Sequence, residues 1–70
     1  MTDAELREVI GFWADWPDPP PRVRVKANDY SYDGWLVGGA IKRSHAIRAM
    51  VEDENGRLFV HNAGQLTVLP

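Results

Sequence analysis

Charged and aliphatic residues alternate without interruption along residues 22–27. A period of two sends successive side chains to opposite faces, as in a strand with one face in water and the other in a core. The pattern therefore predicts a half-buried first strand, with Val23 and Val25 inside and Arg24 and Lys26 outside. The fold prediction depends on this parity.

Four more short strands are predicted, separated by turn-forming residues. Gly38-Gly39 falls inside the second strand, where paired glycines indicate a bend or a close backbone approach. Asn55-Gly56 is a strong hairpin signal between the third and fourth strands, and in the fourth strand we expect Leu58 and Val60 to face inward and Phe59 outward. The predicted strands occupy residues 22–27, 35–42, 46–52, 58–61 and 65–69. Such short strands with frequent turns predict a mainly β fold, a five-stranded barrel.

Residues 1–21 predict a short N-terminal α-helix followed by a proline-rich spacer. Thr2 to Glu5 forms a capping box, and one apolar stripe follows at helical spacing, formed by Leu6, Val9, Ile10 and Trp13. Trp16-Pro17 ends the helix, and residues 18–21 continue as a stiff polyproline-type spacer. The stripe either docks on the barrel or leaves the helix frayed, and the tryptophans favour docking. The predicted organisation is a leader over residues 1–21 and a barrel over residues 22–70.

Composition restricts the class of protein. The chain has 70 residues, no cysteine and a net charge of −2. Five acids against one base give residues 1–21 a charge of −4, and seven bases against five acids give residues 22–70 a charge of +2. A dedicated nucleic-acid domain is usually far more basic. No disulfide is available and no apolar run approaches 18 residues, so we expect a cytoplasmic protein without a membrane segment.

The titratable residues do not form a recognisable catalytic or metal-binding motif. His45 is predicted to be a turn residue and His61 an outward strand position, and neither has a second ligand at metal spacing. Ser31 and Ser44 have no adjacent base. The acidic run at residues 52–54 has the composition of a solvated turn. We therefore expect no catalytic residue, no metal and no cofactor.

Aromatic and basic residues are the candidates for binding. Exposed aromatic side chains on a rigid scaffold offer large contact area at low entropy cost. Basic residues on a neighbouring strand face would add charge, and could follow the phosphates of a single nucleic-acid strand. The predicted binding residues are Tyr30, Tyr32, Trp35, Phe59, Arg24, Lys26 and Arg48.

The order of strands and turns resembles that of the SH3-like barrels. Within that class, residues 22–70 resemble the plasmid-borne type II dihydrofolate reductases. The matching segments are Arg22-Val23-Arg24, the aromatic-Asp33-Gly34 sequence, Val37-Gly38, and Gly56 followed by a four-residue strand and a turn. The resemblance implies a homotetramer with a central pore that binds folate and NADPH.

The sequence departs from that family at the pore. The family's pore strand reads Val-Gln-Ile-Tyr, and the corresponding residues here are Leu58, Phe59, Val60 and His61. The family's ligand-binding lysine falls at Val25, while Lys26 is one position away and therefore on the other face. These departures argue against reductase activity.

Three hypotheses follow. The first is a non-enzymatic interaction module, carried by a phage or mobile element, that binds a protein partner. The second is a diverged reductase-like homo-oligomer that binds folate or NADPH, with residues 58–61 lining its pore. The third is a module for single-stranded nucleic acid.

Overall fold

One antiparallel sheet of five strands makes up most of the structure, a computed structural model that describes residues 1–10 and 19–70. Within the described residues, one short helix precedes the sheet, and a 3-10 turn at Ala63–Gln65 precedes the last strand. The elements are α1 (Asp3–Ile10), β1 (Arg22–Lys26), β2 (Ser31–Ile41), β3 (Ile47–Glu52), β4 (Leu58–His61) and β5 (Leu66–Val68). The predicted mainly β class is confirmed.

The parity predicted for β1 is confirmed. Val23 and Val25 are completely buried, while Arg24 and Lys26 are exposed. The two valines belong to one apolar cluster with residues from every other strand except β4, and also from α1 and the 3-10 turn. The inner face of β1 therefore lies against the core of the molecule.

The strand order is β4-β3-β2-β1-β5, and all four pairings are antiparallel. The long strand β2 pairs with β1 through its first half and with β3 through its second half, and Trp35 has a partner on both sides. The register shifts between Leu36 and Gly38, beside the predicted bend. Strands β4 and β5 are the two edges, and no pairing between them closes the sheet in the described residues.

Strand β2 begins four residues before the predicted position. Tyr32 pairs with Val25 and Ser31 pairs with Lys26, so the ladder with β1 continues through residues that the sequence suggested were a loop. The connection is reduced to a tight turn in which the Ala27 amide donates to the Tyr30 carbonyl oxygen at 2.9 Å. This extension fixes the backbone of both tyrosines next to the sheet.

The inward and outward residues predicted for β4 are reversed. Leu58 and Val60 are 57% and 61% exposed, whereas His61, expected to face outward, is only 5% exposed. The hairpin register decides this, because Phe59 lies opposite Val51 and His61 opposite Ala49, and both of those β3 residues are buried. The hydrophobicity of Leu58 and Val60 does not override a register set by the turn before them.

Helix α1 docks on the inner face of the sheet. The predicted capping box forms, with the Glu5 amide donating to Thr2 Oγ1 and the Thr2 amide donating to Glu5 Oε1, both at 3.1 Å. Leu6 is completely buried and Ile10 is 7% exposed. The predicted continuation through Trp13 to Trp16-Pro17 lies outside the described residues. In residues 1–10 and 19–70, no helix is long and apolar enough to cross a membrane.

The docked helix comes very close to the backbone of β2. A Cβ placed on Gly39 would lie 2.6 Å from Ile10 Cγ1, well inside contact distance. Glycine at this position therefore leaves room for the Ile10 side chain to pack on the strand backbone, a close approach of the kind that glycine within a strand indicates.

Candidate functional site

A cleft of about 460 Å³ opens between the start of β2 and the turn that joins β3 to β4. Three aromatic and three acidic residues line it, together with Ser31 and Asn55. The aromatic residues are Tyr30, Tyr32 and Phe59, and the acidic residues are Asp33, Asp53 and Glu54. We call this site the aromatic cleft.

Tyr32 is the centre of the aromatic cluster. Its ring stacks on Tyr30 with centroids 6.2 Å apart, and meets Phe59 at an angle with centroids 5.7 Å apart. His61 lies 5.7 Å from the Tyr32 ring and 6.4 Å from the Phe59 ring. Tyr30 and Phe59 remain 52% and 39% exposed, so their rings are accessible to a ligand.

A hydrogen bond connects the base of the cluster to the edge strand. The Tyr32 hydroxyl oxygen is 2.6 Å from His61 Nε2. Burial lowers the pKa of His61, against a hydrogen bond with Gln65 that raises it, so the imidazole is neutral at pH 7 and shares one hydrogen with the Tyr32 hydroxyl in this contact. Burial also raises the pKa of Tyr32, and nearby Tyr30 and Asp53 add to that shift. Both groups are therefore uncharged at neutral pH.

Hydrogen bonds hold two of the three acidic residues. On β2, Asp33 accepts two hydrogen bonds from Arg24, at 2.8 and 3.2 Å, which lower the pKa of this carboxyl. The Asp33 side chain lies on the face of the strand opposite to Tyr32. In the turn, Asp53 Oδ1 accepts the backbone amides of Asn55 and Arg57, both at 2.9 Å. Asp53 thus forms the turn and at the same time places a carboxylate at the edge of the cleft.

The structure brings three of the seven predicted binding residues together. Tyr30, Tyr32 and Phe59 line the aromatic cleft, and the other four do not. Trp35 lies under the Arg22 guanidinium, whose carbon is 4.3 Å from the ring centroid.

The predicted basic residues have other contacts or positions. Arg24 reaches the cleft only indirectly, through its ion pair with Asp33. Arg48 donates to the carbonyl oxygen of Ile47 at 2.8 Å, and Lys26 is exposed at the end of β1. The cleft is therefore lined by acidic rather than basic side chains.

The alternative pore residues do not share one surface. Side chains of a strand alternate between faces, so Leu58 and Val60 lie on one face of β4 while Phe59 and His61 lie on the other. Only Phe59 belongs to the aromatic cleft lining.

The sequence interpretation did not identify the acidic residues as part of a binding site, nor the contact of His61 with Tyr32. The turn after Asp53 exposes Glu54 and Asn55 to solvent, as its composition predicts, and it also lies beside the aromatic residues. Phe59 and His61 share one face of β4, as their two-residue spacing predicts, but that face is the inner one.

No group of three or more His, Cys, Asp or Glu side chains in the described parts of the chain is arranged to hold a metal ion. Comparisons with protein families, with curated proteins and with solved structures find no match to this chain.

Proposed function

We propose that this protein is a non-enzymatic interaction module that binds a peptide segment of a protein partner in the aromatic cleft. The observation that carries the proposal is the exposure of Tyr30 and Phe59 around the hydrogen-bonded Tyr32. Aromatic side chains on strands lose little entropy on binding and contribute much contact area. A concave, mostly apolar site with a few fixed polar groups is typical of a ligand site.

The sheet topology supports an SH3-like barrel as the scaffold of the module. The sequential strands β1 to β4 are neighbours, and the short last strand returns to β1 after a 3-10 turn. This is the order of strands and turns on which the resemblance to SH3-like barrels rests. In such a scaffold, the aromatic cleft lies at the mouth between the β1–β2 and β3–β4 turns.

Selection from a displayed library of random peptides tests the proposal. The intact chain should enrich a peptide motif, and the Phe59→Ala variant should lose at least tenfold in affinity for the enriched peptides, as expected for an aromatic binding residue. Val68→Ala is the matched control, because Val68 is also an exposed apolar strand residue but does not line the cleft. Circular dichroism establishes that each variant is folded. Absence of enrichment, or equal loss in both variants, contradicts the proposal.

A second candidate function is self-association, as in the reductase-like hypothesis. The supporting observation is the exposure of Leu58 and Val60 on β4, an edge strand with a free hydrogen-bonding side among the described residues. Sedimentation of the intact chain and of Val60→Lys tests it, together with titration of NADPH. A monomeric wild-type chain that does not bind NADPH excludes this candidate.

Nucleic acid is a less suitable ligand for the same cleft. The lining residues Asp53 and Glu54 would repel a phosphate chain laid across the aromatic rings. The acidic lining therefore supports a protein partner over single-stranded nucleic acid.

A further inference from the structure

All the charged residues that line the aromatic cleft are acidic. Its lining residues include three acids, Asp33, Asp53 and Glu54, and no basic residue. Arg24 neutralises Asp33 through two hydrogen bonds. The carboxylates of Asp53 and Glu54 remain, so a ligand entering from the turn side meets two negative charges.

Asp53 is fixed in place before any ligand arrives. Its Oδ1 atom accepts two backbone amides of the turn, from Asn55 and Arg57. Its Oδ2 atom takes part in no hydrogen bond with the described residues, and can therefore accept from a ligand. A carboxylate that is already ordered loses little further freedom when it binds.

The aromatic rings, like the carboxylates, attract a positively charged ligand. The face of an aromatic ring carries partial negative charge and attracts cations. Tyr30 and Phe59 expose their rings next to Tyr32, in the same cleft as the turn residues Asp53 and Glu54. A positively charged, flat group would gain from the rings and from the carboxylates at once.

The guanidinium of arginine meets these conditions better than an ammonium group does. It is planar, stacks on aromatic faces and donates two parallel hydrogen bonds to a carboxylate. Both interactions already occur within this chain, in the stacking of Arg22 on Trp35 and in the paired hydrogen bonds from Arg24 to Asp33.

We infer that the aromatic cleft binds an arginine side chain of the partner, with the guanidinium between the aromatic rings and the carboxylates of Asp53 and Glu54. The inference rests on the proposed function and names the chemistry that its site recognises. Recognition of the guanidinium then supplies specificity, while the rings supply contact area.

Titration followed by NMR tests the inference with three defined probes. They are N-acetyl-arginine methylamide, its uncharged isostere N-acetyl-citrulline methylamide, and N-acetyl-lysine methylamide. The arginine probe should shift the ring signals of Tyr30, Tyr32 and Phe59 and should bind at least about tenfold more tightly than the citrulline probe, as expected when a carboxylate loses its cationic partner. The lysine probe should fall between them.

Matched variants locate the charge effect. Asp53→Asn combined with Glu54→Gln removes both free carboxylates, while asparagine keeps the oxygen that accepts the turn amides. This double variant should lose about tenfold in affinity for the arginine probe and little for the citrulline probe. Asp29→Asn combined with Glu8→Gln removes two exposed charges outside the lining and should bind the arginine probe as the wild type does.

The outcomes separate the inference from the proposed function. If the displayed library yields cleft-binding peptides that lack arginine, or if the citrulline probe binds as tightly as the arginine probe, the inference is wrong and the peptide-binding function stands. If the library yields no peptide and no probe shifts the ring signals, both are wrong.

Discussion

The Tyr32 hydroxyl lies 2.6 Å from Nε2 of His61 and joins two strands that are not neighbours in the sheet. Strands β2 and β4 flank β3 on opposite sides, so this side-chain bond crosses over the inner face of β3. The bond gives the buried imidazole a hydrogen-bond partner and holds the Tyr32 ring at the centre of the aromatic cleft. The same contact therefore contributes both to stability and to the shape of the proposed site.

Tyr32→Phe should destabilise the fold by about 1–2 kcal/mol, because it leaves His61 Nε2 buried without its hydrogen-bond partner. Urea denaturation measures the change in the free energy of unfolding. Tyr30→Phe is the control, since Tyr30 is 52% exposed and its hydroxyl can bond to water. Equal stability of the two variants would show that the bond contributes nothing.

The stability of the protein should fall as the pH falls through 6.5. Burial lowers the pKa of folded His61 below this ordinary value, which applies to the unfolded chain. Below pH 6.5 the unfolded chain therefore takes up a proton that the folded chain does not, and the free energy of unfolding decreases until the pH reaches the lower, folded pKa. Above pH 6.5 both states are neutral at this position, and the contribution is complete.

Urea denaturation between about pH 8 and about pH 5.5 measures this dependence. The slope should be smaller in His61→Gln. His45→Asn is the matched comparison variant, because an exposed histidine with a φ of 69° is replaced by a residue that tolerates this conformation. The carboxyls of Glu5 and Asp33 also have lowered pKa values, but their ordinary values of 4.5 and 3.8 lie below this range. An unchanged slope in His61→Gln would assign the effect to another group.

Those parts of the fold that depend on local patterns could be predicted from the sequence. The alternation in β1 predicted which valines are buried, and the Thr2–Glu5 pair predicted the start of the helix. Asn55-Gly56 predicted the hairpin, in which Gly56 has a φ of 81°. In each case neighbouring residues alone determine the conformation.

Features that depend on register or on distant contacts were not predictable in this way. Strand β4 contains Leu58, Phe59 and Val60 in succession, so hydrophobicity did not decide which of them faces the core. The pairing of His61 with Ala49 did decide it. Likewise, the cleft has an acidic lining because the β3–β4 turn comes beside Tyr32, which no local pattern indicates.

Thr2→Ala should destabilise the protein by about 1 kcal/mol, because it removes the side-chain oxygen that accepts the Glu5 amide at the helix start. Thr2→Ser keeps this oxygen and should retain most of the stability. The helix has only eight residues and depends on docking through Leu6, so loss of its cap weakens the docked state directly. Urea denaturation compares the two variants, and equal loss in both would rule out the capping contribution.

Gly39→Ala should destabilise the protein by about 1–3 kcal/mol, as overpacking does in well-packed cores. The added methyl group would meet Ile10 Cγ1 at 2.6 Å and the carbonyl oxygen of Arg48 at 3.3 Å. The strand backbone is held by its ladder with β3, so the Ile10 side chain, or the helix that carries it, has to move. Gly64→Ala is the control, since a methyl group there has no atom within 4 Å, and it should change the stability by less than about 0.5 kcal/mol.

A double-mutant cycle shows whether the helix is the element that opposes the methyl group. Ile10→Ala alone opens a cavity and should destabilise by about 2–5 kcal/mol. In that background the methyl group of Gly39→Ala occupies space that Ile10 has vacated, so its effect should shrink by at least about 1 kcal/mol. Additive effects in urea denaturation would mean that the methyl group is opposed by the β3 backbone instead, and that the packing of α1 on Gly39 is not what requires glycine.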